Sequence, residues 1–172
     1  MNIELAIVAI ARPLHILLGV VWIGFIAMMA WVLHPAADKA GEKGLAMLRT
    51  LYTHSILGQV LSIASIGTTV LGLLLWGIRA DGMDLVAFGN TGDIVMAVGA
   101  LAGVLAFGHS ISAVGRYGRL FAQASQAYDA QAISENLQSL NQMKAKLFTN
   151  TNISAWISLV SVVCMSSARY LP

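Results

Sequence analysis

The chain has 172 residues, 58% of them hydrophobic and only 10% charged, with a formal net charge of +2. A soluble domain carries about 25% charged residues, so this composition points to an integral membrane protein. The one cysteine, Cys164, excludes an intrachain disulfide and a multi-cysteine zinc or iron–sulfur site, and the small net charge gives nucleic-acid binding no support.

Four apolar stretches, roughly 13–33, 54–78, 93–115 and 151–170, each approach the length of a membrane-crossing helix. In hydrocarbon the backbone must satisfy its own hydrogen bonds, and no stretch alternates like a barrel strand. The expected fold is a single all-α integral membrane domain over 1–172. It is a four-transmembrane-helix bundle with a cytoplasmic amphipathic helical extension between helices 3 and 4. Orientation follows from Lys and Arg. The two connections on one side carry Lys39, Lys43, Arg49, Arg116, Arg119, Lys144 and Lys146, against Arg12, Arg79 and Arg169 on the other. This places the richer side in the cytoplasm and both termini outside.

Residues 1–12 read as an apolar lead-in, a retained membrane segment rather than a signal peptide, because no basic region precedes it and Glu4 is the first charge. Pro13 fits a first helical turn, and the first span is expected to run to His34, where Pro35 stops it. Leu14 to Pro35 forms an apolar stretch bracketed by His15 and His34. His15, Gly19, Trp22 and Ile26 share one face, which fits either a planar cofactor or an ordinary helix–helix seam. Leu45, Leu48, Leu51 and Tyr52 then recur at helical spacing, either as an amphipathic surface segment or as the start of a long second helix.

The second span carries a stripe of His54, Gly58, Leu61, Ser65, Thr69 and Gly72, continued by Trp76, expected to face the bundle interior. The turn-rich run 79–92 offers Asn90 or Thr91 as a helix cap, with Met83, Val86 and Phe88 dipping into the interface; Asp81 and Asp84 are too few for calcium. The third span holds a Gly99-x-x-x-Gly103 pattern, with His109 on another face. Residues 116–148 read as a helical hairpin, either a solvated link or a partner-binding surface, with Asp129 capping its second helix. The fourth span carries an inward stripe of Ser154, Ser158, Ser161 and Met165, and Cys164 reads as packing.

Four histidines stand out in a chain with few other polar groups at membrane depth. Imidazole suits iron, copper and zinc, and haem held by histidines on facing helices is an established design. His15 and His34 are about 28 Å apart along one helix, so one metal cannot use both. The expected pairing is a haem between helices 2 and 3 on His54 and His109. His15 forms a second site, with Met96 or another ligand of the outer half. Each histidine also has a plain reading as a packing or interfacial residue.

The pattern His15-x6-Trp22-x-Gly24 resembles the opening of the copper-resistance protein D-like family. The same opening recurs in membrane-bound bacterial protoporphyrinogen oxidases and in the membrane portion of some urate oxidases. Phe107-Gly108-His109 followed by Arg116 resembles the end of helix 3 in the oxidase group. The break near Asp129 and the long helix into Asn150 or Asn152 look like the copper-resistance D-like proteins. The resemblance implies a four-helix bacterial inner-membrane protein whose histidines bind haem b or handle copper. His15 matches the family's first-helix histidine and His109 the third-helix one. His34 resembles the histidine that ends helix 1 in the oxidase group, at a different spacing. The oxidase group has a lysine early in helix 3, where this chain reads Asp93-Ile94-Val95-Met96, so protoporphyrinogen oxidation itself is not implied.

The reading that follows is a b-type haem protein of the inner membrane that passes electrons to or from quinone or a redox protein. His54, His109 and His15 are the ligand candidates, Trp22 packs beside the porphyrin, and Arg116 or Arg119 pairs with its propionates. Two other readings stand beside it. One is a copper-handling protein using His15 with Met28 or Met29. The other is a non-catalytic membrane subunit that assembles, as a homo-oligomer or in a larger complex, through Gly99 and Gly103.

Overall fold

The computed structural model describes residues 3–79 and 89–172, and these residues form helices and turns without a strand. The helices are α1 (Ile3–Lys39), α2 (Glu42–His54), α3 (Leu57–Arg79), α4 (Thr91–Ala130) and α5 (Ser134–Tyr170). All but α2 are long and apolar enough to cross a membrane. Asp81, Met83, Asp84, Val86 and Phe88 lie outside the described residues.

The first helix is longer than expected at both ends. It starts at Ile3, because residues 3–11 are themselves helix-compatible and Pro13 removes only one backbone donor from a helix that continues through it. Pro35 does not stop it either. A wide π-turn over Met29–Leu33, closed by the His34 N–H to the Met29 carbonyl, comes immediately before the proline. Such a turn accommodates the ring and the missing donor without ending the helix. The reversal comes instead at Gly41, whose φ of 60° is the left-handed conformation that glycine adopts without strain.

Helix α2 is a separate helix, not the start of α3. Ser55 is extended, and its hydroxyl accepts the Leu57 N–H at 3.2 Å, which starts the next helix afresh. Asn90 caps α4, its side chain accepting the Asp93 N–H at 2.9 Å. The hairpin between α4 and α5 breaks at 131–133, with Asn136 donating to the Ala127 and Gln131 carbonyls. Asp129 is therefore not a cap. It lies in the last turn of α4, which ends at Ala130, and pairs with Arg49 of α2.

Two pairings build the bundle: α1 lies along α3, and α4 lies antiparallel along α5. The α4–α5 seam runs on small residues. Ser161 donates to the Gly99 carbonyl at 2.8 Å, a Cβ on Gly103 would meet the Ser161 hydroxyl at 3.0 Å, and Ser110 and Ser154 share a 2.7 Å bond. Ser154, Ser158 and Ser161 are all buried, as the stripe suggested. The glycine pair is thus occupied within the chain by α5. Ser161→Ala is expected to cost about 1 kcal/mol. Gly99→Leu should cost about 3 kcal/mol, because a Cβ there already meets the Met165 backbone nitrogen at 3.0 Å. Thermal melts in detergent would rank the two.

Two cores result. In the apolar bundle Trp22, Ile26 and Ala30 meet Ala64, Ala106 and Ala155. Beyond it, α2 and the polar halves of α4 and α5 close over Phe121, Leu48, Leu140 and Leu147 to form a packed head. The outer faces of the bundle stay apolar, with Ile63 69% and Leu101 62% exposed. That is the pattern of helices whose outer surface meets lipid rather than water.

Candidate functional site

The four histidines sit in four different environments. His15 faces α3. Its Nδ1 lies 2.8 Å from the Thr68 carbonyl, so the ring donates there. The ring rests on Gly72, where a Cβ would meet His15 Cε1 at 2.8 Å and Nδ1 at 3.2 Å. Gly19, one turn on, approaches Thr68 as well. With Nδ1 committed to that carbonyl, the ring cannot turn freely. A metal-binding imidazole is normally held in this way by a carbonyl or carboxylate on its other nitrogen.

His109 ends the first part of α4, directly before a second π-turn over Ser110–Val114, closed by the Gly115 N–H to the Ser110 carbonyl. Its Nδ1 is buried and has no hydrogen-bond partner. A buried polar atom of this kind is expensive unless something satisfies it. His54, by contrast, is exposed at the end of α2, on the rim of a shallow outer groove with Leu33, Met47, Thr50, Leu51 and Ser55. Its stripe faces the interior only beyond its first turn: Ser65 is buried, Leu61 packs on the core and Gly72 lies under the His15 ring, whereas His54 and Gly58 are exposed. The buried face of α3 runs through Ala64, Ser65 and Thr68, because the break at 55–56 resets the helical phase.

Levels along the bundle separate these groups. Ala64 and Ala106 share one core. Counting from Ala106 along its helix, His109 lies about 4.5 Å toward the head. His54 thus ends α2, before the break that separates it from α3, and is exposed, whereas His109 lies in α4 with its Nδ1 buried. His15 lies on the opposite side of the same core.

His34, which the sequence left without a role, is the one buried histidine, 2% exposed. Its ring stacks flat on Phe148 of α5, with centroids 3.9 Å apart and planes at 6°. The Tyr52 hydroxyl of α2 lies 3.4 Å from Nε2. Burial raises the Tyr52 phenol well above its ordinary value, so it stays protonated, and the ring tautomer sets which of the two donates. Nδ1 of His34 then has no partner. Three distant segments build this pocket, and nothing local in sequence announces it.

The remaining candidates are quickly placed. Trp22 is 3% exposed and packs edge-on against Phe107, with centroids 6.3 Å apart. Arg116 is exposed, with its guanidinium over the Tyr117 ring. Of the adjacent methionines, Met29 is buried and Met28 is 40% exposed, so the two point to different surroundings. Among the described residues no group of three or more His, Cys, Asp or Glu gathers to hold a metal ion. Comparison with protein-family models, curated proteins and solved structures finds no match.

Proposed function

We propose that the chain crosses the bacterial inner membrane four times, with its polar head in the cytoplasm, and carries b-type haem for electron transfer. One observation supports the haem most directly: His15 is fixed by the Thr68 carbonyl through Nδ1 and seated on Gly72, so Nε2 is the nitrogen that would take a metal. His109, with its unsatisfied ring nitrogen beside a π-turn, is the second candidate ligand. The two lie at different levels, so each serves its own site. His54, on its exposed groove, is outside both. When bound, haem supplies one-electron chemistry at iron. The chain itself supplies imidazole orientation and a dry, apolar surround. The exchange partner is a quinone from the lipid phase or a redox protein at the head.

The test is an absorption spectrum of the detergent-purified chain, oxidised and then dithionite-reduced. The expected result is a Soret band with sharp reduced α and β bands. It should be weakened by His15→Ala or His109→Ala and retained in His54→Ala. A colourless protein after expression with ample haem supply would sink the reading. Stoichiometric copper without iron in that preparation would replace it with copper handling.

A further inference from the structure

The charges of the head are unevenly paired. Lys144 reaches Asp38 at 2.7 Å and Arg49 pairs with Asp129. Arg116, Arg119 and Lys146 have no acidic partner among the described residues, and all three are exposed. Two of them meet at one ring. The Arg116 guanidinium lies 5.9 Å and the Lys146 ammonium 5.8 Å from the centroid of the same ring, Tyr117. Arg119 folds back by one turn, its Nη1 only 3.8 Å from where a Cβ on Gly115 would stand. Two cations at one aromatic ring are each attracted to it but repel each other, and a bound anion removes that repulsion.

Their level in the fold points to the anion. The apolar run of α4 ends at Gly115, and that of α5 begins at Thr151. Ser110 meets Ser154 and Gly103 lies against Ser161, so the antiparallel register sets Tyr117 beside Lys146 just past the apolar edge. The backward fold of Arg119 brings its charge to that edge too. Outward-facing cations at this depth stand where lipid phosphates lie.

We propose that Arg116 and Lys146 at the Tyr117 ring, with Arg119 one turn on along α4, bind the phosphate of an anionic lipid headgroup at the head-side rim of the bundle. This rests on the reading that the chain spans a membrane. It assigns the two arginines to lipid rather than to haem propionates. Guanidinium forks grip phosphate oxygens in pairs, and the Tyr117 ring holds the cations in place.

Native mass spectrometry of the full chain in detergent, with added phosphatidylglycerol or phosphatidylcholine, tests it. Phosphatidylglycerol should be retained preferentially, with affinity falling about five-fold for each cation removed. The double variant Arg116→Gln/Lys146→Gln should lose the preference, and Arg119→Gln should lose part of it. Lys39→Gln/Lys43→Gln, which removes the same charge elsewhere, should keep it. Equal retention of the two lipids by the wild type would overturn the site. So would an unchanged preference in the double variant, or equal loss in both double variants, which would mean bulk charge only. Displacement by millimolar inorganic phosphate would overturn the lipid as its occupant. A chain recovered in the soluble fraction of cells would overturn the membrane reading instead, so the two failures are distinguishable.

Discussion

Gly44→Ala is expected to lower the melting temperature of the detergent-solubilised protein by about 6–10 °C, corresponding to a loss of about 3 kcal/mol. Glycine is a poor helix former, and alanine in its place should gain about 1 kcal/mol inside α2. Packing reverses the sign. A Cβ on Gly44 would stand 2.0 Å from the Ala37 carbonyl oxygen and 2.6 Å from its carbonyl carbon. Both belong to the backbone of α1, so no side chain can swing aside. The two helices are joined through the tight reversal at Gly41 and cannot separate without disturbing Ala37 and Leu48, both buried in the head core. Gly58→Ala is the matched control, because nothing lies within 4 Å of a Cβ there. It should melt at or slightly above the wild type. If Gly44→Ala melts within a degree of Gly58→Ala, the close crossing of α1 and α2 is wrong.

Spans and seams were legible in the sequence because they depend on composition and on periodicity within one helix. The Gly99–Gly103 pair and the serine stripe of α5 each mark a close-packing face, and these two faces meet. The His15–Gly19–Trp22–Ile26 stripe likewise forms a helix seam, with Trp22 and Ile26 buried. Breaks were harder to read. Pro35 looked like a terminus because a proline's local effect is visible, whereas the π-turn that accommodates it is not. Asp129 looked like a cap because its pairing with Arg49 joins helices far apart in sequence. His54 looked like an inward ligand only if α2 and α3 were one continuous helix, and the extended Ser55 removes that continuity. The His34 pocket draws on residues 34, 52 and 148, a juxtaposition that no local pattern encodes.

Gly72→Ala should act through His15 rather than through the backbone, and this separates a ligand from a packing residue. The three atoms nearest to a Cβ on Gly72 all belong to the His15 ring, at 2.8, 3.2 and 3.8 Å. A ring at the end of a side chain can move, so α1 and α3 keep their spacing while His15 is pushed off the Thr68 carbonyl. The hydrogen bond lost is worth about 1 kcal/mol, and the helices remain paired through Gly19 and Thr68. The fold should therefore survive with a modest loss of stability. If His15 Nε2 ligates haem, the displaced ring no longer presents it, and Gly72→Ala should reproduce the spectral loss of His15→Ala. The double variant should lose little beyond either single one, because both changes remove the same oriented imidazole. A Gly72→Ala protein that is destabilised but keeps an unaltered reduced spectrum would make His15 a helix-packing residue. In that case the haem ligand must be sought at His109, beside the π-turn of α4.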